Sequence, residues 1–176
     1  MNALSDIRLA NVLEFDGRTI EWEAGGSGEA LMWIEGGPGF WAHLARPDVA
    51  LLADRFRTYL VNAPGCGRTS PPLEGADYGL DSSVRFIDDT RKALGLDRIT
   101  VMGHSWGGLA AVAYAATYPD AVRRLVVIDG YAGVGSVDAD AAEAEQQAAL
   151  DRLRDRSWFA DAVAAASDWA GLRKAT

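Results

Sequence analysis

The 176-residue sequence predicts an α/β domain with a largely parallel sheet, and three observations lead to this prediction. A hairpin signal opens the chain. Short apolar runs then alternate with segments of helical spacing, as expected when parallel strands are joined by crossover helices. From about residue 136 onward the sequence is rich in Ala, Glu, Gln, Asp and Arg and has no further strand pattern. We therefore predict an α/β core over residues 1–135 and a helical segment over residues 136–176.

The first strands are predicted from a turn signal. Asp16-Gly17 lies between two β-like runs, Asn11–Phe15 and Thr19–Glu23, and this dipeptide favours a tight hairpin. The next strand is predicted over Ala30–Ile34, a continuous apolar run that stops at the glycine-rich residues 36–39. Such a run is typical of a strand that is buried on both faces.

Helices and strands alternate in the next part of the chain. Apolar residues at helical spacing predict a helix over Trp41–Asp54, and Arg57–Val61 returns to the strand pattern. A second helix is predicted over Leu80–Leu94. We expect Asp81 to be its N-cap and Gly95 to follow its C-terminus, because these residue types are favoured at those positions.

The last part of the predicted core repeats the alternation. Arg98–Met102 is predicted as a strand, and Trp106–Tyr118 as a helix that ends before Pro119. Arg124–Ile128 is predicted as the final strand. The core therefore contains six predicted strands and three predicted helices.

The composition limits the partners of the protein. Its net charge of −8 argues against nucleic acid, because phosphate binding requires clustered Lys and Arg. No apolar stretch reaches the roughly 18 residues of a membrane span, and the N-terminus lacks the pattern of a secretory signal. The single cysteine, Cys66, cannot form an internal disulfide. We therefore expect a soluble, cytoplasmic protein with no nucleic-acid or membrane partner.

A G-x-S-x-G motif, read G-H-S-W-G over residues 103–107, indicates a nucleophilic serine. The motif follows a predicted strand and opens a predicted helix, so Ser105 would occupy a sharp strand-to-helix turn. Side chains at positions 103 and 107 would collide there, and we expect glycine to be required at both. Gly108 should let the helix lie close to the sheet, and the helix N-terminus should place N–H donors near the serine oxygen.

The motif and two further segments resemble the α/β-hydrolase superfamily. GHSWGG is similar to the elbow of its proline iminopeptidase-like branch. Glu35–Gly39 resembles the HGGPG loop after the third strand, and Asn62–Thr69 resembles the glycine-rich loop after the fourth. The resemblance covers residues 7 to 135 and implies the α/β-hydrolase fold, with helices on both faces of the sheet. It implies that Ser105 is the nucleophile and that the backbone N–H groups of Gly37 and Trp106 form the oxyanion hole.

The resemblance also raises the question of the catalytic base. The triad of the family follows the order Ser, Asp or Glu, then His, yet the chain has only His43 and His104, both before the serine. His104 adjoins Ser105 and should point away from it, so we expect both histidines to be structural or surface residues. The sequence is therefore expected to be the N-terminal part of a larger hydrolase, truncated after about the sixth strand and the start of a helical cap. The base would then lie in a missing C-terminal segment or a second chain.

Four residues are weaker candidates for the site. Asp129, after the last predicted strand, is either a triad acid or a turn residue. Glu35, Phe40 and Trp41 are candidates for the substrate pocket. Glu35 stands where the family usually has histidine, and Asn62 where it usually has aspartate. The Glu35 carboxylate could contact an amine-bearing substrate or hold its loop through hydrogen bonds to neighbouring N–H groups.

A serine at the elbow predicts acyl transfer, whereas related dehalogenases and epoxide hydrolases need a carboxylate there. We expect hydrolysis of a small ester, amide or short peptide through an acyl-enzyme, in the manner of a prolyl aminopeptidase or an esterase. No metal or cofactor is expected. The alternative hypothesis is a catalytically inactive relative that lacks the triad histidine and acts as a binding protein, or a non-functional fragment.

Overall fold

The computed structural model describes residues 9–37, 39–72 and 78–130, and six strands within them form one sheet. The strands are β1 (Asn11–Phe15), β2 (Arg18–Gly25), β3 (Glu29–Ile34), β4 (Phe56–Val61), β5 (Ile99–His104) and β6 (Val122–Ile128). Each lies within two residues of a strand predicted from the sequence. The predicted helical segment over residues 136–176, with the boundary before it, lies outside the described residues.

The strand order in the sheet is β1-β2-β4-β3-β5-β6. β2 pairs antiparallel with β1 and β4, whereas β3 pairs parallel with β4 and β5, and β5 pairs parallel with β6. The hairpin turn has positive φ at both central residues, +47° at Asp16 and +71° at Gly17, as a type I′ turn requires. The predicted fold class, a mostly parallel sheet that begins with a hairpin, is confirmed. Because β3, β4 and β5 are parallel, the loops that follow them meet at one edge of the sheet.

Three α-helices accompany the described strands, and the first is much shorter than predicted. They are α1 (Arg46–Ala50), α2 (Leu80–Ala93) and α3 (Trp106–Thr117). The single helix predicted over Trp41–Asp54 is wrong: a 3-10 turn over Ala42–Ala45 precedes α1, and turns follow it. Pro47 explains the break, because proline lacks the N–H that a continuing helix would need and is tolerated only in the first turn.

The ends of α2 agree with one prediction and correct another. Gly95 has φ +67°, and the N–H groups of Gly95 and Leu96 donate to the carbonyls of Lys92 and Arg91 at 2.9 and 3.0 Å. This is a Schellman motif, so the predicted helix stop is confirmed. The predicted N-cap is wrong: Gly79 is the N-cap, without a side-chain cap, and Asp81 lies in the first turn. A carboxylate in the first turn still interacts favourably with the helix dipole.

The two faces of the sheet bury two separate apolar clusters. Successive β3 residues point to opposite faces, so Met32 packs with α2 and α3, whereas Leu31 and Trp33 pack toward α1. Helices therefore cover both faces, as the fold class implies. Among the helices within the described ranges, none combines the length and the apolarity that a bilayer crossing needs.

Candidate active site

Ser105 occupies the sharp turn between β5 and α3. Its φ of +52° lies in the left-handed region, which is uncommon for a residue with a Cβ and is found mainly at functional sites. Its N–H donates to the carbonyl of Ile128 at 3.0 Å, and its carbonyl accepts from the N–H of Gly108 at 2.9 Å. These backbone bonds fix the residue between β6 and α3. Its side chain is exposed at the carboxyl edge of the sheet.

The glycines around Ser105 are required by the close approach of backbone segments. A Cβ on Gly103 would lie 2.1 Å from the carbonyl oxygen of Gly107, and a Cβ on Gly107 would lie 2.2 Å from that of Ile34. A Cβ on Gly108 would lie 2.7 Å from the Cα of Gly130. The expectation that only glycine fits at 103 and 107, and that Gly108 brings the helix close to the sheet, is confirmed.

The loop after β3 lies directly against this elbow. A Cβ on Gly36 would lie 3.0 Å from the Cβ of Ser105 and 2.9 Å from Nδ1 of His104. Gly37 follows with φ +66°, and a side chain there would collide with the ring of Phe40. The structure thus brings together Ser105 and the loop that carries Gly37, one of the two expected oxyanion donors.

Glu35 holds this loop in the way that one of the two sequence hypotheses states. Its Oε1 accepts the N–H of Gly36 at 2.9 Å, and its Oε2 accepts the indole N–H of Trp33 at 3.1 Å. Nδ1 of His104 lies 3.7 Å from Oε1 of the same carboxylate. The carboxylate also lines the cavity described below, so a contact with substrate stays a prediction.

Of the four weaker candidates, Glu35 and Phe40 line the cavity, whereas Trp41 and Asp129 do not. The ring of Trp41 packs edge-to-face against His43, with the centroids 5.9 Å apart, and Trp41 is not among the cavity-lining residues. Asp129 is exposed and has φ +45°, in a turn that leads to Gly130. Aspartate is one of the residue types that tolerate this conformation, as the turn-residue hypothesis requires.

A buried carboxylate that the sequence analysis did not single out organises the loop after β4. The side chain of Glu21 on β2 is fully buried and accepts hydrogen bonds from the N–H of Leu9, the side-chain amide of Asn62, and both the N–H and Nε of Arg68, at 2.7 to 3.1 Å. Burial raises the pKa of Glu21, but the hydrogen bonds from Arg68 and Asn62 outweigh it and hold this pKa below its usual value. A Cβ on Gly67 would lie 2.0 Å from Oε2, so the loop approaches the carboxylate closely.

The same network explains why residue 62 is asparagine. Its Nδ2 donates to Glu21 at 2.7 Å, while its Oδ1 accepts the N–H of Ala42 at 2.9 Å. Ala42 begins the 3-10 turn that follows the Gly36–Gly37 loop. An ionised aspartate could accept from Ala42 but could not donate to Glu21. The amide therefore connects the loops after β3 and β4 through one buried side chain.

A cavity of about 560 Å³ lies between the elbow, the two loops and α2. This volume is in the range of small-molecule sites. At the elbow end it is lined by Glu35, Gly37, Phe40 and Trp106, whereas Ser105 itself is not among the lining residues. Cys66 also lines the cavity, and burial raises the pKa of its thiol. Over the described ranges, no group of three His, Cys, Asp or Glu side chains is arranged to hold a metal ion.

Neither histidine hydrogen-bonds to the Ser105 hydroxyl. The ring of His104 lies beside Glu35, in agreement with the expected structural role. His43 is partly buried against Trp41, and burial together with the nearby Arg46 lowers its pKa. Residues 9–37, 39–72 and 78–130 therefore provide a candidate nucleophile and candidate oxyanion donors, but no side chain among them that is hydrogen-bonded to the serine oxygen as a base would be.

A sequence model described as the alpha/beta hydrolase fold matches residues 29–168, and the chain belongs to this family. Its relatives carry different activities. Proline iminopeptidase from Saccharolobus solfataricus is 34% identical over 110 residues, which cover 62% of this chain and 36% of that protein. Epoxide hydrolase 4 from Homo sapiens is 33% identical over 107 residues, covering 60% of this chain and 29% of that protein.

Solved structures resemble the fold as well. A mutant of the meta-cleavage product hydrolase from Pseudomonas fluorescens superposes with a TM-score of 0.67 at 27% identity, covering 76% of this chain and 48% of that one. The chain spans about 36% of the length of the proline iminopeptidases it matches. Family membership is therefore established on the part of the fold that carries the elbow.

Proposed function

We propose that this chain carries the nucleophile of a serine hydrolase that cleaves an ester or amide bond through an acyl-enzyme. The observation that carries the proposal is Ser105, an exposed side chain held at φ +52° between glycines that no other residue can replace. A backbone held in this conformation costs free energy, and such a cost is typical of functional sites. Ser105 Oγ would attack the carbonyl carbon, and the alcohol or amine of the substrate would leave.

The oxyanion of the tetrahedral intermediate would be bound by the backbone N–H groups of Gly37 and Trp106. Trp106 is the first residue of α3, so its N–H is one of those left without a partner inside the helix. Gly37 belongs to the loop that lies against the elbow, and both residues line the cavity. Each such donor is typically worth about 3 kcal/mol in the transition state.

The residue at the elbow and the relatives support the proposed substrate class. A serine forms an acyl ester, whereas the alkyl-enzyme route of epoxide hydrolases requires a carboxylate at this position. Proline iminopeptidases are among the relatives that match this chain. We therefore propose a small ester, amide or short peptide as substrate, with prolyl aminopeptidase-like activity as the first candidate.

The base is proposed to come from elsewhere in the complete protein. In the family the histidine follows the nucleophile and the acid in chain order, and residues 106–176 contain no histidine. A further segment or a second chain would supply it. Without such a base, the hydroxyl of Ser105 is a weak nucleophile near neutral pH.

Covalent labelling tests this proposal. The protein expressed from its complete reading frame should react with a fluorophosphonate probe, and Ser105→Ala should abolish the labelling. Ser27→Ala, in an exposed turn, is the matched control and should label like the wild type. The wild type should also hydrolyse a prolyl-arylamide or a short-chain aryl ester. Equal labelling of wild type and Ser105→Ala, with no turnover of either substrate, would contradict the proposal.

A second candidate is an inactive relative that binds a small ligand. Within the described ranges neither histidine is hydrogen-bonded to the Ser105 hydroxyl, and this favours the second candidate. This candidate predicts saturable binding of a non-hydrolysable ester analogue without labelling of Ser105. Labelling that depends on Ser105 would exclude it.

A further inference from the structure

Glu35 holds a carboxylate beside the proposed oxyanion hole. Its side chain is 16% exposed, and the residue lines the cavity together with Gly37 and Trp106, whose N–H groups are the proposed oxyanion donors. Its Oε1 atom accepts the N–H of Gly36, which adjoins Gly37 in the same loop. The negative charge of Glu35 is therefore held next to the place where a second negative charge would form in the transition state.

Uncharged donors hold this carboxylate. They are the N–H of Gly36 and the indole N–H of Trp33. Among the residues that the structure describes, the only basic side chain at ion-pair distance from Glu35 is His104, at 3.7 Å, and an imidazole is charged only when it is protonated. A carboxylate can accept about four hydrogen bonds, so Glu35 retains the capacity to accept from a further donor. Its charge is thus available to a cation that enters the cavity.

The other charged residues of the cavity do not compensate Glu35. Arg18 is paired with Asp89. When Asp16, Arg85 and Glu35 are included, the described part of the lining contains three carboxylates and two guanidinium groups. Charges interact more strongly in a partly enclosed site than in bulk water, so this excess of negative charge favours a cationic ligand over an anionic one.

An uncompensated carboxylate at this position opposes the proposed reaction. The tetrahedral intermediate carries an oxyanion, and a nearby like charge raises its energy unless a cation neutralises that charge. A protonated amine on the carbon next to the substrate carbonyl can do so, because it lies close to the oxyanion. Acylation and deacylation each form an oxyanion, and only a cation on the acyl part of the substrate is present in both steps.

We propose that Glu35 is a specificity-determining residue that binds a protonated amine on the acyl part of the substrate. The inference rests on the proposed function, because the amine is placed by its distance from the carbonyl that Ser105 attacks. The ammonium group donates to the Glu35 carboxylate and acts as its counter-ion. The favoured substrate is then an aminoacyl ester or amide, whereas an acyl group without the amine leaves the carboxylate uncompensated.

Binding to a catalytically silenced protein tests this recognition apart from turnover. In the complete protein carrying Ser105→Ala, calorimetry at neutral pH would compare alanyl-p-nitroanilide with isobutyryl-p-nitroanilide, in which a methyl group replaces the ammonium group. The alanyl compound should bind about tenfold more tightly, as a hydrogen bond to a charged group allows, and Glu35→Gln should abolish this preference. Asp16→Asn is the matched control: it removes another carboxylate from the same lining, and asparagine also tolerates the φ of +47° at this position. This control should keep the preference.

Turnover by the protein with Ser105 intact separates recognition from a purely structural role of Glu35. Glu35→Gln should lower the ratio of kcat/KM for the alanyl compound to that for the isobutyryl compound about tenfold, whereas a loop that had only lost its support would slow both and keep the ratio. Equal affinities for the two compounds, or a preference that survives Glu35→Gln, would overturn the recognition even if Ser105 reacts with the fluorophosphonate. A preference that is lost equally in Asp16→Asn would do the same. A preference that depends on Glu35 in a protein whose Ser105 does not label would keep the recognition and overturn the hydrolase.

Discussion

Two of the segments that border the cavity are held in place by different forces. At the elbow after β5, position is set by backbone contacts so close that no Cβ fits at Gly103 or Gly107. In the loop after β4, position is set by side chains, above all by the buried carboxylate of Glu21 with its donors on Asn62 and Arg68. The first arrangement depends on sterics and tolerates changes of pH. The second depends on a charge and on every hydrogen bond made to it.

The largest effect is expected from Glu21→Gln. The substitution removes the charge that Arg68 faces and places a donor amide among groups that are themselves donors. Removing one partner of an ion pair that is buried on both sides typically costs 3–5 kcal/mol; because Arg68 is 37% exposed while Glu21 is fully buried, we expect a loss in the lower half of that range, about 3.5 kcal/mol in the free energy of unfolding. Urea denaturation at neutral pH measures it. Glu14→Gln, whose carboxylate accepts an exposed hydrogen bond from Thr19, should change stability by less than about 0.5 kcal/mol.

Gly107→Ala should come next. Its Cβ would lie 2.2 Å from a backbone oxygen of β3, so a backbone segment rather than a flexible side chain must shift. We expect a loss of about 3 kcal/mol, together with loss of fluorophosphonate labelling. Gly17→Ala is the control for backbone conformation without a steric clash, because φ at Gly17 is +71° and an added Cβ would meet no other atom. We expect Gly17→Ala to lower the free energy of unfolding by only about 1 kcal/mol. Equal costs at the two positions would contradict the steric account.

Asn62→Asp tests the side-chain network alone, because it replaces the donor amide that contacts Glu21 by a carboxylate of almost the same shape. The new carboxylate keeps the bond to the Ala42 N–H but loses the donor to Glu21 and places two negative charges together. We expect a loss of about 2 kcal/mol at neutral pH. Mild acidification should recover part of it, because one carboxylate then takes up a proton and becomes a donor. A stability of the variant that does not change relative to wild type between neutral and mildly acidic pH would contradict this.

The pH dependence of the wild type is the smallest effect of the four. Hydrogen bonds and the charge of Arg68 hold the pKa of Glu21 below its ordinary 4.5 despite burial, so the unfolded chain takes up a proton first as pH falls. The contribution of Glu21 to the free energy of unfolding is therefore fully present above about pH 4.5. It is lost as the pH falls through the lower pKa that Glu21 has in the folded protein. Denaturation midpoints from neutral to acidic pH should fall less steeply in Glu21→Gln than in wild type. Asp88, whose pKa is also lowered, contributes equally to both.

The elbow could be predicted from the sequence, whereas the network around Glu21 could not. The strand, the glycines, the serine and the helix of the elbow are contiguous in the sequence, so the conformation of each part limits the conformations open to the part that follows. The Glu21 network could not be predicted, because its members come from positions 9, 21, 62 and 68 and meet only in the folded sheet. The end of α2 was read correctly from Gly95, whereas the helix predicted over Trp41–Asp54 failed because apolar spacing outweighed Pro47 in the prediction.

The amide of Asn62 has a consequence for how sequences of this fold can change. The Asn62 amide donates to the Glu21 carboxylate, so a change at either position alone loses this hydrogen bond, and aspartate at 62 would also place two negative charges together. The two positions are 41 residues apart and should vary as a pair. Homologues with aspartate at the position of Asn62 should therefore have a neutral or donor side chain at the position of Glu21. A protein with only one of the two substitutions, at position 21 or at position 62, should be less stable than one with both. We therefore expect the two substitutions to occur together in homologues.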